Sequence, residues 1–386
     1  MANSYAQYRA VRFFGSLDGL RAFSIIGVVW FHSWWGTPYY PILTKLPVLR
    51  MGQYGVDMFY VVSGFLITTL LLRERDRFGE FSLRQFYIRR TLRIWPLYYS
   101  VVALYVFVVL FFERSPQRSA SFFHYLPSFL TFTYPWFLVA KWPGGIFNLA
   151  GTLAVEEQFY AFWPVVNRLL RGFWASLLMA GLIVVRMAAG QGYLGRWLHN
   201  DTFIGRVVLS IAVPICLGAI LAHALHAEKI FAFLYPLLGK KWMAPLAACA
   251  LLVSLAPLHI YLWLTWTANI LLVAACVVRE DHGLAGLLRL RPLAYIGVVS
   301  YGMYLLNSLS IHLVQAALSP LHLLHPAIVF PLAMGVAVGV AGFSYRYFET
   351  PFLEWKKKRF SPMAKAQTTA PARSEAVEKP EQVLAS

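Results

Sequence analysis

Apolar stretches of about 17 to 25 residues, the length of a helix that crosses a bilayer, recur along almost the whole chain. Ten are readable, near residues 17–36, 53–72, 95–112, 152–169, 173–189, 206–225, 242–258, 260–278, 293–315 and 326–346. An eleventh, residues 122–140, contains Pro127, Pro135 and several Ser and Thr, and is read as re-entrant or interfacial. The pattern predicts an all-α integral membrane protein: a bundle of about ten transmembrane helices with one segment that does not cross. Residues 1–355 form the membrane-embedded domain. Residues 356–386, basic and then rich in Ala, Pro, Ser, Thr and Glu, read as a disordered tail.

The distribution of charge orients this bundle. With 122–140 not crossing, one side collects Arg73, Arg75, Arg77, Arg84, Arg89, Arg90, Arg93, Arg168, Arg171, Lys229, Lys240, Lys241, Arg279, Arg289, Arg291 and the run Lys356 to Arg359. The other side keeps few, among them Lys45, Arg50, Arg114, Arg118, Lys141 and Arg196. The positive-inside rule then puts both termini in the cytoplasm. The net charge of +17 is therefore topological and not a nucleic-acid footprint. Composition agrees with residence in lipid, since 59% of residues are hydrophobic and only 13% charged. Trp34-Trp35 and Tyr39-Tyr40 read as interface anchors. Cys216, Cys249 and Cys276 lie in apolar runs without ligand-like spacing, so buried small hydrophobes are expected, with no disulfide or metal framework. The first apolar run ends in His32-Ser33-Trp34-Trp35, where a signal cleavage site would need small residues, and is kept as the first mature helix.

Ionisable residues inside a span are costly and mark function by default. The first span holds Asp18, Arg21 and His32. At 100° per residue, Arg21 and His32 lie about 20° apart around the helix and roughly 16 Å apart along it, on one stripe. Asp18, three residues before Arg21, is placed for an ion pair that lowers the cost of the buried guanidinium. Glu156 and Tyr160 share a face with Trp163, whereas Glu157 points about 100° away. The two acids are thus expected to do different jobs, one ordering the hydroxyls of a ligand and the other capping the helix start.

Several motifs, taken in order, resemble those of the acyltransferase-3 family of integral membrane acyltransferases. They are Ser16-Leu17-Asp18-Gly19-Leu20-Arg21-Ala22 with His32, and Gly55 to Leu66, which contains Asp57 and Ser63. They continue with Phe86 to Tyr99, Val155-Glu156-Glu157-Gln158-Phe159-Tyr160, Ser300 to Leu305 and Ser344 to Phe352. The resemblance covers residues 16 to 353. Two departures stand out: Gly151-Thr152-Leu153-Ala154 replaces a Trp-Ser-Leu-Ser motif, and Asn307 replaces a late His.

The resemblance implies transfer of an acyl group, acetyl foremost, from acetyl-CoA or another short acyl-CoA in the cytoplasm to a hydroxyl of a cell-surface or exported carbohydrate. It implies His32 as general base, with Arg21, Asp18, Glu156 and Glu157 in the catalytic set. The residues agree: planar guanidinium groups suit the phosphates of coenzyme A, and Arg89, Arg90 and Arg93 are spaced so that two can share a helix face. Asp57, Ser63, Tyr160 and Asn307 are the expected substrate contacts. The expected setting is a bacterial inner membrane, with lipids, acyl-CoA and a carbohydrate as partners, no nucleic acid, no metal, and room for a partner protein in periplasmic transfer. Alternatives are a small glycosylated metabolite or lipid-linked intermediate as acceptor, a solute transporter or flippase, and a receptor-like scaffold.

Overall fold

The computed structural model describes residues 2–138, 145–195, 198, 202–256 and 261–360, and every regular element among them is helical. Ten helices build the bundle: α1 (Gly15–His32), α2 (Gly55–Phe78), α3 (Leu83–Phe111), α4 (Leu149–Leu169), α5 (Phe173–Gly190), α6 (Val213–His226), α7 (Met243–Leu255), α8 (Leu262–Val278), α9 (Arg291–Leu318) and α10 (Pro326–Ser344). Each of the ten apolar stretches overlaps one of them, but not all of these helices are long and apolar enough to cross. By length and apolarity five segments can cross a bilayer, namely Leu49–Phe78, Leu83–Phe111, Phe173–Gly190, Arg291–Leu321 and Pro326–Lys356. The number reaches eight if three pairs, bent by 66°, 48° and 79°, each count as one span. This is a multi-pass, all-helical membrane protein.

The expected re-entrant stretch overlaps the helix Pro116–Leu130 and includes the short helix Tyr134–Phe137, the two joined through Phe132 at a positive φ of 54°. Residues 361–386 of the expected tail, with Lys141 and Arg196, lie outside the described residues. Helix continues through the basic run to Phe360, because Lys and Arg are good helix formers and no breaker intervenes. Two expectations of burial are corrected. Cys249, on α7, is exposed. Trp34 is buried against Trp30 instead of anchoring an interface.

Local signals explain the turn that matters most. Gly79, at φ 78°, ends α2, and Ser82 opens α3 by accepting from the Gln85 amide. So short a turn brings the end of α2 and the start of α3 together, and Arg89 of α3 pairs with Glu74 of α2 at 2.7 Å. Neighbouring helices run in the order α10, α9, α1, α2, α6 and α5, with α8 also touching α2. Between α2 and α6 the backbones meet directly. A Cβ on Gly64 would collide with the Ile215 carbonyl, and one on Gly218 with that of Val61. Without a hydrophobic drive between helices in lipid, such close approach is what holds them. Gly64→Leu is therefore expected to cost about 3 kcal/mol or more, read as loss of monodisperse protein on detergent size exclusion.

Basic residues gather at one end of the bundle. Arg73 donates to the Val11 and Tyr8 carbonyls, Arg9 pairs with Asp76, and Arg168 reaches Glu80 at 3.3 Å. The loop before α9 closes on the start of α1. There Ser16 Oγ accepts from Arg289 Nε at 3.2 Å and lies 2.9 Å from His282 Nε2. His282 is pushed down to about 4 by burial, with Arg289 adding to it, so its ring is neutral at neutral pH. Its Nδ1 accepts from the Leu284 amide, which leaves the proton on Nε2 to donate to Ser16.

Candidate active site

Helices α1, α2, α3, α4 and α9 enclose a cavity of about 90 Å³. Its lining includes Arg21, Arg90, Arg93, Glu156, Tyr160 and Tyr304. Asp18 holds Arg21 at 3.6 Å, as the i, i+3 spacing required, and a Cβ on Gly297 would strike the Asp18 backbone, so α9 closes tightly over that turn. Arg90 stacks on Tyr160, its guanidinium carbon 4.3 Å from the ring centre, and Arg93 is exposed into the space. Ser63 Oγ donates to Glu156 Oε1 at 2.9 Å. Three guanidinium groups thus line the cavity with one carboxylate, Glu156, on its wall. Arg89 is not on it; Glu74 engages it instead, and the pair that shares the cavity face is Arg90 and Arg93.

Farther along α1 and α9, beyond Tyr304, stands His32. Its Nδ1 lies 2.8 Å from Asn307 Oδ1. Asn307 Nδ2 donates to the Tyr304 carbonyl, which fixes the amide so that only its oxygen faces the ring. An amide oxygen can only accept, so Nδ1 carries the proton of the neutral imidazole and Nε2 is left with its lone pair. That is the tautomer a general base needs. Asn307, expected as a substrate contact, is fully buried, and its amide is taken up by these two bonds and by one its oxygen accepts from Ser308 Oγ at 3.5 Å. Arg21 and His32 do share one stripe, the one facing α9.

Glu156 and Glu157 diverge as the helical angle dictated. Glu156 enters the arginine cavity, whereas Glu157 accepts from Trp95 Nε1 at 3.1 Å and faces a different, mostly apolar cavity of about 650 Å³. Neither caps the helix start. Helix α4 begins at Leu149, a full turn before the expected boundary, because Leu149, Ala150, Leu153 and Ala154 extend it and bury. Asp57 accepts from Trp266 Nε1 at 3.1 Å on the wall of yet another cavity.

Four residues in or beside the site were assigned no role from sequence. Tyr304 and Thr152 share a hydroxyl hydrogen bond, and Tyr60 donates to the Thr152 carbonyl at 3.0 Å. Glu349 sits on a π-helical turn, Tyr345–Glu349, where Ser344 Oγ donates to it at 3.4 Å. Such turns concentrate at functional sites. The signal was present, since Glu349 lies in the last of the quoted motifs.

A family model described as an acyltransferase domain matches residues 14–346. A provisionally named O-acetyltransferase of Staphylococcus aureus (strain COL) is 26% identical over 369 residues, covering 90% of this chain and 58% of that protein. A provisionally named peptidoglycan O-acetyltransferase of Bacillus subtilis (strain 168) is 26% identical over 396 residues, covering 91% and 56%. The peptidoglycan O-acetyltransferase OatA of Listeria monocytogenes is 26% identical over 371 residues, covering 87% and 55%. The chain thus spans little more than half the length of these relatives. No solved structure matches.

Proposed function

This chain belongs to the acyltransferase-3 family, and from that premise we propose that it moves an acyl group, acetyl foremost, from cytoplasmic acyl-CoA to a hydroxyl of a cell-surface or exported carbohydrate. The observation that carries the reading is the convergence of Arg21, Arg90 and Arg93 on one small cavity. Its narrowness suits the pantetheine arm and its acetyl group. The nucleotide end of coenzyme A needs far more space and stays at the mouth. In this reading Arg90 and Arg93 meet the phosphates there, and Arg21, held by Asp18, lies along the pantetheine arm, whose thioester end reaches toward Tyr304 and His32.

His32 Nε2 takes the proton of the acceptor hydroxyl as its oxygen attacks the thioester carbonyl carbon. The C–S bond then breaks, and His32 returns that proton to the departing coenzyme A sulfur. Glu156, steadied by Ser63, orders the acceptor. Positive-inside logic supports a cytoplasmic basic end, both termini on that side, an inner-membrane setting and ten crossings with 122–140 not spanning. A lipid-linked sugar acceptor is the second reading, favoured by the apolar cavity beside Glu157.

The test is labelled acetyl-CoA supplied to purified protein in nanodiscs. Label appearing in a saccharide ester supports the reading, and intact acetyl-CoA with every saccharide offered sinks it. The tautomer argument adds a finer expectation. Asn307→Leu should lower kcat about a hundredfold with acetyl-CoA affinity unchanged, whereas Asn307→Asp, which still accepts from Nδ1, should retain much more activity. Equal rates for the two variants would remove Asn307 from its positioning role.

A further inference from the structure

A second cavity of about 630 Å³ adjoins the arginine cavity, within the 300–1,000 Å³ usual for ligand sites. The two share a wall: Tyr60 and Thr152 line both. The Tyr60 hydroxyl on the Thr152 carbonyl, and the Thr152 hydroxyl against Tyr304, hold that partition together. The larger space therefore lies one side-chain layer from where the acyl group would sit.

Its walls carry polar groups that membrane burial alone does not explain. Arg186 is a cation within the otherwise apolar helix α5, and it lines this cavity. Its Nε is buried without a hydrogen-bond partner among the described residues. A guanidinium inside a span is costly, and an orphaned buried donor costs more, so the arrangement calls for an oxygen supplied from the cavity. Asp57 is aimed by Trp266, and the Asn148 amide oxygen accepts from Tyr134 at 3.2 Å. Rings beside a fixed carboxylate and amide match a sugar, whose C–H faces pack on aromatics and whose hydroxyls both donate and accept. The wall is completed by Ser210 to Ala212, the non-helical break between Phe203–Leu209 and α6. Irregular backbone at membrane depth is tolerated where it lines a cavity.

We propose that this chamber binds the saccharide acceptor. A ring packs on its aromatic wall, Asp57 and Asn148 meet the ring hydroxyls, and Arg186 meets a carbonyl or carboxylate oxygen on the sugar. The Tyr60–Thr152 partition is the doorway through which the acceptor hydroxyl reaches the acyl group. The inference rests on the acyl-transfer reading above and adds where the acceptor binds and what reads it.

The experiment uses the full chain in nanodiscs with acetyl-CoA and the soluble N-acetylglucosamine tetramer as acceptor, with glycerol at equal hydroxyl concentration as control. Coenzyme A release and ester formation are followed. The expected result is saturable transfer to the tetramer, with the tetramer KM raised at least tenfold in Arg186→Met and largely recovered in Arg186→Lys. Acetyl-CoA affinity by titration calorimetry stays at the wild-type value, so a misfolded variant is recognised. An unchanged tetramer KM in Arg186→Met, or transfer to glycerol as efficient as to the tetramer, overturns the chamber. A wild-type protein that binds acetyl-CoA and acylates nothing overturns the acyl-transfer reading itself, and the chamber with it.

Discussion

Replacing His32 by Ala is expected to lower acyl transfer about a thousandfold while leaving protein yield and acetyl-CoA binding unchanged. The magnitude follows from the 10²- to 10⁴-fold that a positioned base contributes when it removes a proton in the transition state. The separation of effects follows from position. His32 stands beyond Tyr304 from the arginine cavity, so the phosphate contacts that set donor affinity are not lost with it. Only its ring contacts with Phe31 and Trp35 and the bond to Asn307 disappear. Initial rates against acetyl-CoA concentration, with binding measured separately, check both halves. Normal turnover would remove His32 from the mechanism, and loss of donor binding would move it to the donor site.

The second large effect concerns the donor. Arg90→Ala and Arg93→Ala should each weaken acetyl-CoA binding between about tenfold and a hundredfold, since a charge-assisted hydrogen bond is worth about 1.5–3 kcal/mol. Arg89→Ala should leave affinity nearly unchanged, because Arg89 is bonded to Glu74 and lies off the cavity wall. Simple positive charge near the cytoplasmic surface would make all three variants alike. Titration calorimetry on the three proteins separates these outcomes, and equal losses in Arg89→Ala and Arg90→Ala would leave only a general electrostatic attraction.

What could be read in advance was whatever depends on one helix at a time. The Asp18 and Arg21 pair, the common stripe of Arg21 and His32, and the divergence of Glu156 from Glu157 all follow from 100° per residue, and all are present. What depends on a neighbouring helix was hidden. Arg89 and Arg90 are adjacent in sequence, yet Glu74 of α2 takes one and Tyr160 of α4 stacks on the other. Asn307 is drawn to His32 by the α1 and α9 contact, which no local pattern encodes. The bends that leave five to eight segments fit to cross arise at Ser210 to Ala212 and similar breaks, where an apolar window looks continuous but the helix is not. The 630 Å³ chamber is assembled from several helices, so although Arg186 falls inside the 173–189 stretch, nothing local shows what it faces.

Mass spectrometry of cell-envelope glycans tests the central claim most directly, comparing cells that lack the protein with cells complemented by the wild type or by His32→Ala. The account predicts a saccharide species heavier by one acyl group that is lost with the protein, restored by the wild type and not by His32→Ala. Identical glycan spectra in all three strains would contradict it.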